Sequence, residues 1–273
     1  MNILCLDIGG TSTRGSIINN GKIMHKIVRK TPFSNKEEML DQLVNIIKEL
    51  DDNKTIDAIS IGCAGPVLNY VMQGSKPMGI LDNVNFKKVI SEHTDKPLFV
   101  ENDLQMAIRA EKKYGSGKGV KNFVVIALST GIGVAVVKNN IILEGRIEIG
   151  HNIIQKSSWV SQTSGSAIKT FLDKNKKKIS IQDFFNKPDK NFLDKIVEIN
   201  TLGFTQIIHA YDPEKIIVMG SLGVNQFEKI VPSSHDIESQ CLLRPIPKII
   251  KTKLGDEIGI LGAYELACEK LII

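Results

Sequence analysis

The stretch Asn2-Ile-Leu-Cys-Leu-Asp-Ile-Gly-Gly-Thr11 has a counterpart about 120 residues later, Asn122-Phe-Val-Val-Ile-Ala-Leu-Ser-Thr-Gly131. Each is an apolar run that ends in a turn of small residues. Each is followed by a second extended run and an Asn-Asn pair: Ile17-Ile18-Asn19-Asn20 in the first copy, Val137-Lys138-Asn139-Asn140 in the second. The pattern reads as strand, tight turn, strand, tight turn. A supersecondary unit repeated at that separation predicts two lobes of similar topology, and 273 residues suffice for two domain-sized bodies.

Both turns suit an anion. Gly9 and Gly10 let the backbone bring N–H groups close to a phosphate, and Thr11 and Thr13 offer hydroxyls. Ser129-Thr130-Gly131-Ile132-Gly133 has the same character. Taken alone, the first turn also fits an ordinary hairpin in which Asp7 caps the turn. With one such turn per lobe, the two are expected to face each other across a cleft.

The segments between carry further signals. Residues 35–50 place Met39, Leu43, Ile46, Ile47 and Leu50 at helical spacing, with Ser34 as cap and Glu37 three residues on. Ile56 to Cys63 reads as a strand, broken by Ala64-Gly65-Pro66-Val67. A helix from Phe86 to His93 and a strand from Pro97 to Val100 follow, delivering Glu101-Asn102-Asp103 to a carboxyl end, where ligands of α/β proteins collect. Asp103 is equally placed to cap a helix over Leu104 to Tyr114. In Arg146-Ile-Glu-Ile-Gly-His151, Glu148 and His151 fit an ion pair, a solvated turn or a ligand contact. Ser164-Gly165-Ser166-Ala167 starts a helical region that runs to about Tyr211. Lys215 to Gly223 is a buried strand ending in a glycine loop suited to close backbone approach. Gly255 to Ile273 reads as a helix whose Gly259, Gly262, Ala263 and Ala267 allow close packing. The expected lobes are 1–114 and 115–258, with the helix 259–273 packing back on the first.

Composition removes several function classes. At 42% hydrophobic and 24% charged residues the chain is an ordered globular one. No apolar run approaches the roughly 20 residues of a membrane span, and the first strand begins without a basic leader, so a cytoplasmic protein without membrane contacts is expected. Cys5, Cys63, Cys241 and Cys268 are scattered and fit neither a disulfide framework nor a zinc knuckle. The net charge of +5 is densest at Lys174 to Lys178, where no aromatics are interleaved, which favours a solvated helix end over a nucleic-acid surface. Gly115-Ser116-Gly117-Lys118-Gly119 fails as a P-loop because glycine follows the lysine, and reads instead as a mobile inter-lobe loop.

Five of these stretches occur in the order shown by the ROK family (repressor, open reading frame, kinase). Asp7-Ile-Gly-Gly-Thr11 resembles its first phosphate motif and Leu128-Ser-Thr-Gly-Ile-Gly133 its second. Glu101-Asn-Asp103 resembles the catalytic segment, Glu148-Ile-Gly-His151 the sugar segment, and Ile217-Val-Met-Gly-Ser-Leu-Gly223 the adenosine segment. The resemblance covers essentially the whole chain. It implies an α/β, two-lobed actin-like ATPase (sugar kinase/Hsp70) fold with duplicated ribonuclease-H-like lobes, and ATP- and Mg²⁺-dependent phosphorylation of a hexose or N-acetylhexosamine by a homodimer. It implies Asp103 as the base, with Gly65, Asn102, Glu148 and His151 around the sugar. Asp7, Gly9, Gly10, Thr11, Thr13, Thr130 and Gly131 would serve the ATP phosphates, and Gly220 and Ser221 the nucleoside.

One departure bears on the substrate. Most ROK kinases carry a Cys-x-Cys-Gly-x-x-Gly-Cys-x-Glu run after the sugar histidine, and here residues 152–167 contain no cysteine and no glutamate. No structural zinc is therefore expected. The same loss recurs in bacterial N-acetylmannosamine kinases, which points to that sugar, with glucokinase the alternative. Some ROK members are repressors with a helix-turn-helix domain placed before the sugar-binding body. Here the first strand starts within the first few residues, and retention of Asp103 and both turns argues for catalysis over sugar binding alone.

Overall fold

The structure is a computed structural model and describes residues 1–52, 55–74 and 79–271. It divides into two compact units, Met1–Gly115 with Leu254–Ile273, and Ser116–Lys253.

In the first unit, β1 (Asn2–Ile8), β2 (Ser12–Asn19), β3 (Lys22–Lys30) and β4 (Ala58–Cys63) are joined by α1 (Lys36–Leu50). A small hairpin of β5 (Val67–Leu68) and β6 (Val71–Met72) follows, then α2 (Phe86–Ser91), β7 (Leu98–Asn102) and α3 (Asp103–Lys113). The sheet order is β3-β2-β1-β4-β7, with β1, β4 and β7 parallel and β2 and β3 antiparallel. β1 and β4 lie inside the sheet with both faces covered, so Ile3–Leu6 and Ala58–Cys63 are buried and mostly apolar, Ser60 excepted. β3 is one of the two edge strands, and its Lys22, Lys26, Arg29 and Lys30 discourage pairing with another chain.

Helix boundaries shift from those read in the sequence. Asn35, not Ser34, caps α1: its backbone is extended and its side chain accepts from Glu38 N–H at 3.1 Å. Asn85 caps α2, which ends at Ser91 rather than His93. β7 runs two residues beyond Val100, so Asn102, not Asp103, is the cap of α3. The C-terminal helix, Ile258–Leu271, follows a 3₁₀ turn at Gly255–Glu257 and packs on α3. The approach is so close that a Cβ on Gly262 would lie 1.8 Å from Met106 O. The expected extension of this helix to residues 272–273 lies outside the described residues.

The second unit repeats the scheme. β8 (Phe123–Leu128), β9 (Ile132–Lys138) and β10 (Ile141–Ile142) form an antiparallel set. A small hairpin of β11 (Ile153–Ile154) and β12 (Ser157–Ser158) and the helices α4 (Trp159–Thr163), α5 (Gly165–Lys174), α6 (Ile181–Asn186) and α7 (Lys190–Tyr211) intervene. β13 (Lys215–Met219) and β14 (Lys248–Lys251), with α8 (Ser221–Asn225) between them in the chain, then complete the sheet β10-β9-β8-β13-β14. Counted within its own unit, each five-stranded sheet has the order 3-2-1-4-5 and the same strand directions. The core of this unit buries Trp159 completely, with its indole N–H satisfied by Asn200 Oδ1 at 2.8 Å.

The repeat is not uniform along its length. Ile8 pairs with Thr13, enclosing a four-residue turn, whereas Leu128 pairs with Ile132, enclosing three. The first strands of the two copies therefore correspond at an offset of 120 and the second strands at 119. Asn20-Gly21, rather than Asn19-Asn20, is the positive-φ counterpart of Asn139-Asn140.

The 115–119 segment is fastened rather than loose. Lys215 Nζ donates to Ser116 O at 2.6 Å, and Gly117 backs directly onto the Phe123 ring. Lys174 ends α5, and Lys177 lies over the Phe171 ring and reaches Asp189 at 3.8 Å.

Candidate functional site

In the first unit three parallel strands end on one row, Ile8 beside Cys63 and Cys63 beside Asn102. The turn 9–12, the Ala64-Gly65 loop and Asp103 thus leave the sheet from the same edge, the edge at which α/β folds hold ligands. Gly10 and Thr11 are exposed at the tip of that turn.

Asn102 braces this edge with both ends of its amide. Its oxygen accepts the Leu104 N–H at 2.8 Å, and its nitrogen donates to Gly65 O at 3.0 Å. Asp103, in the first turn of α3, also accepts from Leu104 N–H, at 2.9 Å. Burial raises the Cys63 thiol well above its ordinary value, and the charges of Asp103 and Asp7 raise it further, so both carboxylates act on this one residue.

Asp7 sits on β1 directly across from Arg14 on β2, whose guanidinium is 3.8 Å away and also lies 3.5 Å from Asp256. The helix start packs so tightly here that a Cβ on Gly259 would lie 2.4 Å from the Asp7 carboxyl carbon. Burial pushes the Asp7 carboxyl up to about 6, Arg14 opposes the rise, and Asp256 adds to it. Asp7 therefore belongs to a charge cluster and is more than a turn cap. Thr13 departs from its expected placement: it is fully buried, and its hydroxyl meets that of Thr31 at 3.1 Å behind the turn.

In the second unit the turn 129–131 and the loop after β13 meet. Ser129 Oγ lies 3.4 Å from Ser221 Oγ. Gly220 has φ +83°, and a Cβ there would strike Leu128 O at 2.5 Å, so no other residue fits. Thr130 is exposed and Gly131 half-buried. The 3₁₀ turn Ile149–His151 presses against the start of β9, where a Cβ on Gly150 would lie 2.1 Å from Ile132 O. Glu148 and His151 are joined through the backbone, His151 N–H donating to Glu148 O at 2.9 Å, and both side chains are exposed. Among the described ion pairs none joins them.

The structure thus gathers Asp7, Gly9, Gly10, Thr11, Gly65, Asn102 and Asp103 at one sheet edge of the first unit. It gathers Thr130, Gly131, Gly220, Ser221, Glu148 and His151 at the strand ends of the second. Sequence reasoning missed Arg14, Thr31 and Asp256, and read Gly259 as a packing position without its partner Asp7. Arg14 stands opposite Asp7 because the turn has four residues, a length that the sequence does not state. The others come from distant segments with no local signal. Among the described residues, no group of three or more His, Cys, Asp or Glu side chains is placed to hold a metal ion, and no helix is long and apolar enough to cross a membrane.

The model of the ROK family matches residues 3–270. The chain is 24% identical to the glucokinase of Thermotoga maritima, over 99% of this chain and 98% of that one. It is 26% identical to the N-acetylmannosamine kinase of Haemophilus influenzae, over 96% of this chain and 94% of that one. A solved ROK family glucokinase from Streptomyces griseus, in complex with glucose and AMPPNP, superposes with a TM-score of 0.78 at 21% identity, covering 98% of this chain and 100% of the other. The fold is accordingly the two-lobed actin-like ATPase fold of ROK sugar kinases.

Proposed function

The chain belongs to the ROK family, and from that premise we propose that it is an ATP-dependent sugar kinase acting on the 6-hydroxyl of an N-acetylhexosamine, N-acetylmannosamine first among them. The observation that carries the kinase reading is the shared sheet edge of the first unit, where a phosphate-type turn and the Asp103 carboxylate leave adjacent parallel strands. Phosphoryl transfer asks the protein for positioning and charge neutralisation more than for covalent chemistry. In this reading Mg²⁺ enters bound to ATP, as part of the substrate. The turn 9–12, Asp7, Thr130 and Gly131 serve the phosphates, and Gly220 and Ser221 the nucleoside. Asp103 accepts the proton of the attacking sugar hydroxyl, a contribution of about 10²- to 10⁴-fold. Gly65, Asn102, Glu148 and His151 hold the sugar. Thr13, buried behind the turn, supports it rather than touching ATP.

The choice of sugar rests on the missing cysteines and glutamate of residues 152–167. Without that loop no structural zinc is held, and the site lacks a charged acceptor for hydroxyls near C1 and C2. A kinase that selects glucose through its 2-hydroxyl suffers from that loss, because such selectivity comes from the hydrogen-bonding partners. An acetamido group in place of that hydroxyl does not depend on the missing acceptor. Glucokinase is the second reading, favoured by the identity with a glucokinase over nearly the whole chain. The test is kcat/KM for N-acetylmannosamine, N-acetylglucosamine, mannose and glucose in one coupled assay. N-acetylmannosamine should lead; glucose equal or ahead would overturn the substrate and leave the kinase.

A further inference from the structure

The usefulness of an anion-binding turn depends on where its carbonyls go. The anion needs N–H groups aimed at it, and a carbonyl on the same side repels it. In a trans peptide the C=O of one residue and the N–H of the next point in opposite directions. Fastening a carbonyl to the protein therefore turns the following N–H outward.

The second turn does this with the start of α5. Gly165 N–H donates to Ser129 O at 2.8 Å and Ser166 N–H to Thr130 O at 3.1 Å, which turns the N–H groups of Thr130 and Gly131 away from the helix. In the first turn the same work falls to one residue outside the motif, Thr31, which follows β3 and is 1% exposed. Its N–H donates to Thr11 O at 3.1 Å and its hydroxyl to Gly9 O at 2.8 Å. These bonds turn the N–H groups of Gly10 and Ser12 the other way. Among the described bonds none takes the N–H of Gly10, which is exposed. The Thr31 hydroxyl has one proton, committed to Gly9, so Thr13 must be the donor in the 3.1 Å contact between the two hydroxyls. The result is a chain from Thr13 through Thr31 to the Gly9 carbonyl.

We propose that Thr31 is a positioning residue for ATP, fastening the Gly9 and Thr11 carbonyls of the first phosphate turn so that the N–H groups of Gly10 and Ser12 face the nucleotide. This deepens the kinase reading and rests on the turn 9–12 being a phosphate site. Thr31→Val keeps the shape and one backbone bond but removes the hydroxyl. It should raise KM for ATP, and the Kd for ADP in calorimetry, about tenfold, while KM for the sugar moves less than about twofold. Thr31→Ser restores the hydroxyl and should return both nucleotide constants to within about twofold of wild type. Thr13→Val, which removes the donor to Thr31, should raise KM for ATP about threefold and serves if Thr31→Val does not fold. Unchanged nucleotide constants in the folded variants, or equal losses for ATP and sugar, would overturn the role of Thr31 alone. A wild-type chain that binds no ADP and turns over no ATP would overturn the phosphate-turn reading, and this inference with it.

Discussion

Asp7 is held where its charge is costly. Its side chain is 15% exposed, wedged between Arg14 and the start of the C-terminal helix, and burial lifts it from 3.8 to about 6. A carboxyl raised in the folded state binds its proton more tightly there than in the unfolded chain. The stability it lends is therefore full below 3.8 and is lost as the pH rises through about 6. Ionised at pH 8, it costs about 2–3 kcal/mol. Asp7→Asn should accordingly melt higher than wild type at pH 8 by a few degrees, with the gap closing toward pH 4, while turnover falls. Melting curves that run parallel at all pH values would show that burial of this charge is not the cause. The same scale explains one misplaced residue. Thr13 reads as a turn hydroxyl, but side chains alternate across a strand, and a turn of four residues rather than three reverses which of them faces inward. The sequence around Gly9 does not state that length.

The duplicated elements were legible because their central strands are apolar on both faces and their turns are built from small residues. Caps were legible only to within a residue. Ser34 and Asn35 are both good cap formers, and the path of the chain leaving β3 decides which is extended at the right point. The small-residue face of the C-terminal helix was legible as a packing surface, whereas its partner α3 was not, since nothing local links residues so far apart. That contact makes a sharp test. Gly262→Ala would drive a Cβ to 1.8 Å from Met106 O, a backbone atom with no rotamer to yield. It should destabilise the protein by about 2 kcal/mol or more. Gly79→Ala, which meets nothing within 4 Å, should stay within about 0.5 kcal/mol. Urea melts distinguish the two, and equal midpoints would contradict the packing described here.

At the scale of the whole molecule, two units with the same sheet order each carry a small-residue turn at the end of their first strand, and each turn has two carbonyls tied to a neighbouring segment of its own unit. Membership of the family follows from the match across residues 3–270. The choice of sugar was the least legible part, because it turns on residues that are missing from one loop rather than on residues that are present. The central claim is that this chain transfers phosphate from ATP to a sugar with Asp103 as base. It is tested by incubating wild type and Asp103→Asn with MgATP and N-acetylmannosamine, following sugar phosphate directly, and measuring sugar binding by calorimetry. Wild type should form the 6-phosphate, and the variant should bind the sugar with similar affinity while turning over at least about 10²-fold more slowly. Near-normal turnover in the variant, or no sugar phosphate from the wild type with any hexose or N-acetylhexosamine, would contradict it.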